Sequence, residues 1–232
     1  MRIGWLLGWA VPQDWFAALA RDAFPAAVHA FARPSPTAIG ELEACAPFDW
    51  VAGYSLGTLL LMGQASRAGA LGRVAVLAPI FAFPGEENLG GRIPRVEVRI
   101  LERRLRQDPP RAIEEFHRRA GLGDIPKGPA AVTEEAGTAQ AGTVPSDIPG
   151  DGESSLAWGL AQLKTVRVDA VLPEGWVGWC GTDDPFLDAH RLHSLDKRIV
   201  PLPGATHHPR ALMNAFSAFV AKGARRGIAA NP

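Results

Sequence analysis

The chain has 232 residues, 47% of them hydrophobic, with 24 basic and 24 acidic side chains and so no formal net charge. That is enough apolar material for one sizeable domain, 1–232, with room for an insertion. Charge balance excludes a global field favouring nucleic acid, and two distant cysteines, Cys45 and Cys180, in no metal-ligand spacing, point to reduced, buried thiols.

After Arg2 the chain opens on a short apolar stretch, but Pro12 and Asp14 follow too soon for a secretory h-region, and no apolar run approaches a membrane span. The expected compartment is the cytoplasm. Short, nearly unbroken apolar runs at 3–7, 26–31, 50–52, 74–78, 176–180 and 199–202 predict strands covered on both faces. Helical patterns at 13–22, 37–45, 56–70, 185–195 and 209–223 lie between them. Alternation of this kind predicts an α/β architecture, a mostly parallel sheet of about six strands with right-handed crossovers. The alternation is interrupted between 81 and about 157. Residues 92–122 read as two charged helices separated by Asp108-Pro109-Pro110, and 123–152, poor in large apolar side chains, as a flexible loop. A helix at 155–163 returns the chain to the sheet, and 224–232 read as a frayed tail.

The pentapeptide Gly53-Tyr54-Ser55-Leu56-Gly57 stands between a predicted strand and a predicted helix. A Gly-x-Ser-x-Gly in that context resembles the nucleophile elbow of α/β-hydrolases, where a strained turn lifts the hydroxyl clear of the sheet at the positive end of a helix. A serine hydroxyl needs a base, and the base an orienting acid. In this superfamily the acid and then the histidine follow the serine along the chain. After the strand at 176–180 come Asp183 and Asp184; after the strand at 199–202 come His207 and His208. Either aspartate could instead cap the next helix, and neither pair is resolved by the residues alone. His29, His117, His190 and His193 are expected to be structural or solvent-exposed. Donors for a developing oxyanion are expected from the backbone N–H of Leu56 and, in the loop Leu7-Gly8-Trp9-Ala10, from Trp9.

More narrowly, the chain is similar to the pimeloyl-acyl-carrier-protein methyl ester esterases of biotin synthesis, the BioH type. The similarity is carried by the Gly8-Trp9 turn with Trp15, by the elbow, and by residues 156–166, which match the segment leading that family's lid back to the core. The resemblance implies an α/β-hydrolase with a helical lid at 82–155, the acid at Asp184 and the base at His207. It implies no cofactor and no metal. Leu7 stands where that family usually has His, and the first strand here begins at residue 2, so the family's two leading strands are expected to be missing. In the segment 110–116, Arg111 matches the first of two arginines that contact the carrier in that family. Glu115 stands in place of the second, and Phe116 is expected to line the substrate pocket.

The inserted region also carries the clearest local charge. Residues 92–119 hold nine arginines and five acids, a net of +4. Arg92, Arg95, Arg99, Arg103 and Arg106, spaced 3, 4, 4 and 3 apart, are expected within an arc of about 80° on one helix face. With Arg111, they could form a docking surface for an acidic acyl-carrier protein; the bland alternative is a solvated helix face. The expected activity is hydrolysis of a carrier-linked acyl methyl ester by a serine carboxylesterase. The alternatives are a small-ester esterase, thioesterase or lactonase on the same scaffold, or a relative that binds without catalysis.

Overall fold

The structure, a computed structural model, describes residues 1–123, 125 and 152–229, with the side chains of 152–154 and 224–229 excepted. Six strands form one parallel sheet in the order β2-β1-β3-β4-β5-β6. They are β1 (Arg2–Leu6), β2 (Val28–Ala32), β3 (Trp50–Tyr54), β4 (Arg73–Leu77), β5 (Val177–Gly181) and β6 (Ile199–Leu202). Helices cover both faces, which is why β3 and β4 read as apolar runs rather than alternating ones: every residue of β3 is buried. The chain steps from β1 outward to β2, then returns to place β3 on the other side of β1. That reversal opens a crevice beyond the carboxyl ends of β1 and β3, the usual ligand position in an open parallel sheet.

The helices are α1 (Gln13–Ala23), α2 (Ala38–Cys45), α3 (Leu56–Gly63), α4 (Ala65–Leu71), α5 (Arg95–Gln107), α6 (Pro109–Arg119), α7 (Gly152–Thr165), α8 (Ala189–Leu195) and α9 (Pro209–Ala229). Between β4 and β5 the chain runs through α5, α6 and α7; α5 packs on both others, and α7 reaches α3. Trp5, Phe16, Phe24, Trp50, Trp179 and Phe216 interlock at the centre of the core through edge-to-face and tilted contacts. Among the described residues no helix is long and apolar enough to cross a membrane.

Four sequence expectations need correction. The helix expected over 56–70 breaks at Gln64 (φ −131°, ψ 42°), and the redirected α4 lets Arg67 donate to both Glu43 oxygens of α2 at 2.8 and 2.6 Å. The helix expected from 185 begins only at Ala189, because residues 184–187 are used to hold a carboxylate described below. Arg92 is not on the α5 face: Pro94 precedes the first helical residue, Arg95, so the arginine stripe on this helix starts at Arg95. The backbone of α9 continues to Ala229, into the region read as a frayed tail. Most of the loop expected at 123–152 lies outside the described residues.

Candidate active site

Ser55 follows β3 immediately and opens α3 with φ 54°, ψ −117°. A non-glycine residue there is strained and persists only where its surroundings over-determine it. The surroundings are tight. A Cβ on Gly57 would lie 2.1 Å from the Leu6 carbonyl oxygen, so that glycine is required by close backbone approach, while one on Gly53 would lie 2.8 Å from the Leu61 Cδ1 methyl and 3.0 Å from the Gly57 carbonyl, a tight but less absolute fit. Ser55 N–H donates to Leu77 O at 2.9 Å, and Thr58 Oγ–H donates to Ser55 O at 2.7 Å while accepting from Ile80 N–H at 2.9 Å. The turn is thereby locked to the strand beside it.

His207 reaches the serine from the loop after β6. Its Nε2 lies 2.9 Å from Ser55 Oγ and its Nδ1 lies 2.6 Å from Asp184 Oδ2. Because a carboxylate oxygen can only accept, Nδ1 carries the proton and Nε2 offers its lone pair to the serine hydroxyl. Asp184 is fully buried. Its Oδ1 accepts from the N–H groups of Phe186 (2.8 Å) and Leu187 (3.1 Å), so the carboxylate takes three hydrogen bonds in all. Arg92 supports the same loop from behind, with Nη1 donating to Asp184 O at 3.2 Å and its N–H to Phe186 O at 2.8 Å. Tyr54 closes the ring of contacts by donating its hydroxyl to His207 O at 2.7 Å. Burial, reinforced by the nearby Asp184, pushes the Tyr54 phenol well above its ordinary range. Asp183 is exposed and bonded to Thr182 Oγ, and His208 packs on Trp15 with Nδ1 accepting from Arg210 N–H; neither reaches Ser55.

The loop after β1 lies against the serine: a Cβ on Gly8 would sit 3.2 Å from Ser55 Cβ. Leu56, as the first helical residue, has no intrahelical partner for its N–H. Trp9 N–H donates to no acceptor among the described residues. Both donors are therefore uncommitted, one on the residue after Ser55 and one on the loop packed against it. The loop is tied outward as well: Trp9 Nε1–H donates to Leu156 O of α7 at 2.8 Å, and His117 Nε2 lies 2.7 Å from Ala10 O.

A roof of three buried aromatics covers the site. Trp9 meets Phe116 of α6 edge to face at 4.7 Å, Phe116 stacks on Phe186 at 5.0 Å, and Phe186 meets the His207 ring at 5.1 Å. Beyond the roof, between α5 and α6, lies a cavity of about 260 Å³ lined by Phe83, Ile93, Val98, Leu101, Phe116 and Phe186. Its rim carries two ion pairs that join α5 to α6, Arg104–Glu115 at 2.6 Å and Arg119–Glu97. Of the arginines expected on a docking surface, Arg92 is spent on Asp184 and Asp188, and Arg95 on Glu87. Arg99, Arg103 and Arg111 are exposed and form no ion pair among the described residues. Cys180 is buried, which pushes its thiol well up, and it takes no part in these contacts.

Sequence reasoning missed His117 and the supporting role of Arg92. Nothing around His117 in the sequence distinguishes it from a solvated histidine on a charged helix; its partner is 107 residues away.

No family model matches the chain, and no curated protein matches it by sequence. Solved structures do match by shape. An esterase from Exiguobacterium antarcticum superposes with a TM-score of 0.63 at 11% identity, covering 97% of this chain and 92% of that one. An esterase from Rhodococcus sp. ECU1013 gives 0.55 at 16% identity, with 100% and 91% covered. Epoxide hydrolases of the α/β-hydrolase superfamily from hot-environment metagenomes give 0.50 at 12% identity, with 100% and 91% covered. The chain has the α/β-hydrolase fold.

Proposed function

We propose that this chain is a serine ester hydrolase. The observation that carries the reading is the unbroken relay from Ser55 Oγ through His207 to Asp184, at 2.9 and 2.6 Å, on a strained turn at the sheet's crevice. In this reading His207 Nε2 takes the serine proton as Oγ attacks the ester carbonyl. The oxyanion forms beside the N–H groups of Trp9 and Leu56, in a site walled by buried aromatic side chains, where such donors are most effective. Asp184 holds the imidazole in the required tautomer and stabilises its cation. The alcohol leaves with the proton from Nε2, and water then repeats the sequence to release the acid.

Within that class the finer reading is an acyl methyl ester carried by an acidic acyl-carrier protein, with methanol as the leaving group. It is supported by the resemblance of the elbow, the Trp9 loop and residues 156–166 to the carrier-linked methyl esterases, and by the exposed guanidinium groups of Arg99, Arg103 and Arg111. The segment 82–155 would act as the lid over the site. Rim charges of this sort set on-rate and salt dependence more than they set chemistry.

One experiment tests both levels. The protein is assayed on p-nitrophenyl butyrate and on a carrier-linked acyl methyl ester, as wild type, Ser55→Ala and the triple variant Arg99→Glu, Arg103→Glu, Arg111→Glu. Ser55→Ala is expected to lose both activities. The triple variant is expected to raise KM for the carrier-linked ester alone, with salt mimicking its effect. Ser55→Ala retaining activity within tenfold would overturn the hydrolase reading. Equal effects of the triple change on both substrates would overturn carrier docking, and cleavage at the thioester rather than the methyl ester would make the protein a thioesterase.

A further inference from the structure

The loop that offers the Trp9 N–H is not held by the sheet alone. Ala10, the residue after the donor, sits at φ 55°, in the left-handed region, where a residue with a Cβ costs on the order of 1 kcal/mol or more and stays only if its neighbours fix it. What fixes it comes from the segment between β4 and β5. His117, on α6, places Nε2 2.7 Å from Ala10 O. A carbonyl can only accept, so Nε2 carries a proton, and the bond exists whether the ring is neutral or cationic. The ring is half-buried, and its own neighbour Phe116 packs against the Trp9 indole. The Trp9 indole N–H is held in turn by Leu156 O, with Gly159 leaving the space: a Cβ there would lie 2.7 Å from Trp9 Cδ1. The loop is thus pinned on both sides of its donor by helices that are remote in sequence.

We infer that His117 is a positioning residue for the oxyanion pocket, fixing the Gly8–Ala10 loop through the Ala10 carbonyl so that the Trp9 N–H faces the reacting centre. The inference rests on the ester-hydrolase reading of the same site. It explains why a histidine is placed here rather than any apolar side chain of like size. The Ala10 carbonyl needs a donor, and a donor at the ε position of a rigid ring reaches it without using backbone from α6. Without that donor the loop loses its outer anchor and the Trp9 N–H drifts relative to the oxygen it must meet. Because that oxygen bears full charge only in the transition state, the loss falls on kcat and not on substrate binding.

The test compares His117→Leu, His117→Asn and His117→Gln with wild type on p-nitrophenyl butyrate. Gln presents an N–H donor near the position of Nε2, whereas Leu has none and Asn is too short to reach Ala10 O. The expected result is a fall in kcat of about 10- to 100-fold for Leu and Asn with KM little changed, and substantial recovery with Gln. The affinity of an alkyl boronic acid, which forms a tetrahedral adduct on the serine, should fall in step with kcat/KM. A role confined to anchoring α6 would lower thermal stability in all three variants without moving boronate affinity. The inference is overturned if Leu and Asn keep wild-type kcat, or if Gln is as impaired as both. The Asn variant keeps a polar group in the half-buried position and carries the test should Leu not fold. A wild type that neither hydrolyses the ester nor is labelled at Ser55 by a fluorophosphonate overturns the hydrolase reading, and this inference with it. A wild type active on the ester, matched by His117→Leu, overturns the inference alone.

Discussion

Asp184→Asn replaces one oxygen by NH₂ and leaves the shape unchanged, so its effect can be worked out from the three donors that face the carboxylate. Two backbone N–H groups, of Phe186 and Leu187, point at Oδ1, and His207 Nδ1–H points at Oδ2. If the asparagine keeps its carbonyl toward the backbone, both N–H groups remain satisfied and the NH₂ faces His207. If it keeps its carbonyl toward His207, the NH₂ confronts two buried N–H groups. Leaving a buried donor unpaired costs about 1–3 kcal/mol, so the second orientation is disfavoured by roughly 2–6 kcal/mol. At about 1.4 kcal/mol per factor of ten, at most a few per cent of molecules adopt it. The first orientation wins and forces His207 into the other tautomer, with the proton on Nε2 and the lone pair on Nδ1. Nε2 then donates to Ser55 Oγ instead of accepting, and the base is lost. The tautomer alone removes a factor of about 30 or more, and the missing charge behind the imidazolium brings the expected loss in kcat to the order of 10⁴, with the fold retained. Steady-state kinetics on p-nitrophenyl butyrate and ¹⁵N spectra of the His207 ring read the two halves of the argument. A variant within tenfold of wild type, or one whose His207 still carries its proton on Nδ1, would refute it.

Two further outcomes follow from the elbow. Gly57→Ala drives a Cβ to 2.1 Å from Leu6 O and 2.7 Å from Leu7 O, backbone atoms that cannot step aside. A cost of about 1–3 kcal/mol or more is expected, seen as a fall in Tm of about 2–4 °C for each kcal/mol, together with lower kcat because β1 carries the Trp9 loop; an unchanged melting curve would contradict the packing argument. Ser55→Gly and Ser55→Ala should both be inactive, but glycine relieves the strain at φ 54° that alanine keeps. The Gly variant should therefore melt higher than the Ala variant by a few degrees, the reverse of the usual order for this pair, and differential scanning calorimetry checks the sign.

The elbow and the sheet were legible because each is written locally. Close backbone approach demands Gly57 and crowds Gly53, and burial on both faces demands the unbroken apolar strands at the centre of the sheet. The acid and base were narrowed to Asp183 or Asp184 and His207 or His208 by their position after late strands. Choosing within each pair requires knowing which side chain turns inward, and from the residues alone that is not encoded at either position. Asp184 is fully buried and Asp183 exposed only because Phe186 and Leu187 curl their N–H groups around one of the two. The same curl delays α8 to Ala189, which no helix propensity reveals. Arg92 was read on a helix face because a spacing of three or four residues looks the same on either side of Pro94. His117 carried no signal at all, since a hydrogen bond to a loop carbonyl across the molecule leaves no trace in spacing.

Tyr54 occupies the variable second position of the elbow and donates to the carbonyl of the very histidine that its neighbour Ser55 meets. Burial keeps that phenolic proton in place far beyond neutral pH. The backbone N–H groups around Asp184 hold their protons too, and the donors of the oxyanion pocket are amides. The phenolic and amide hydrogens of the site therefore stay where they are, and the proton that the proposed chemistry moves lies between Ser55 Oγ and His207 Nε2. A centre wired in this way hands its working proton from the serine to the leaving alcohol through one imidazole nitrogen, and the tyrosine beside it neither takes nor gives one.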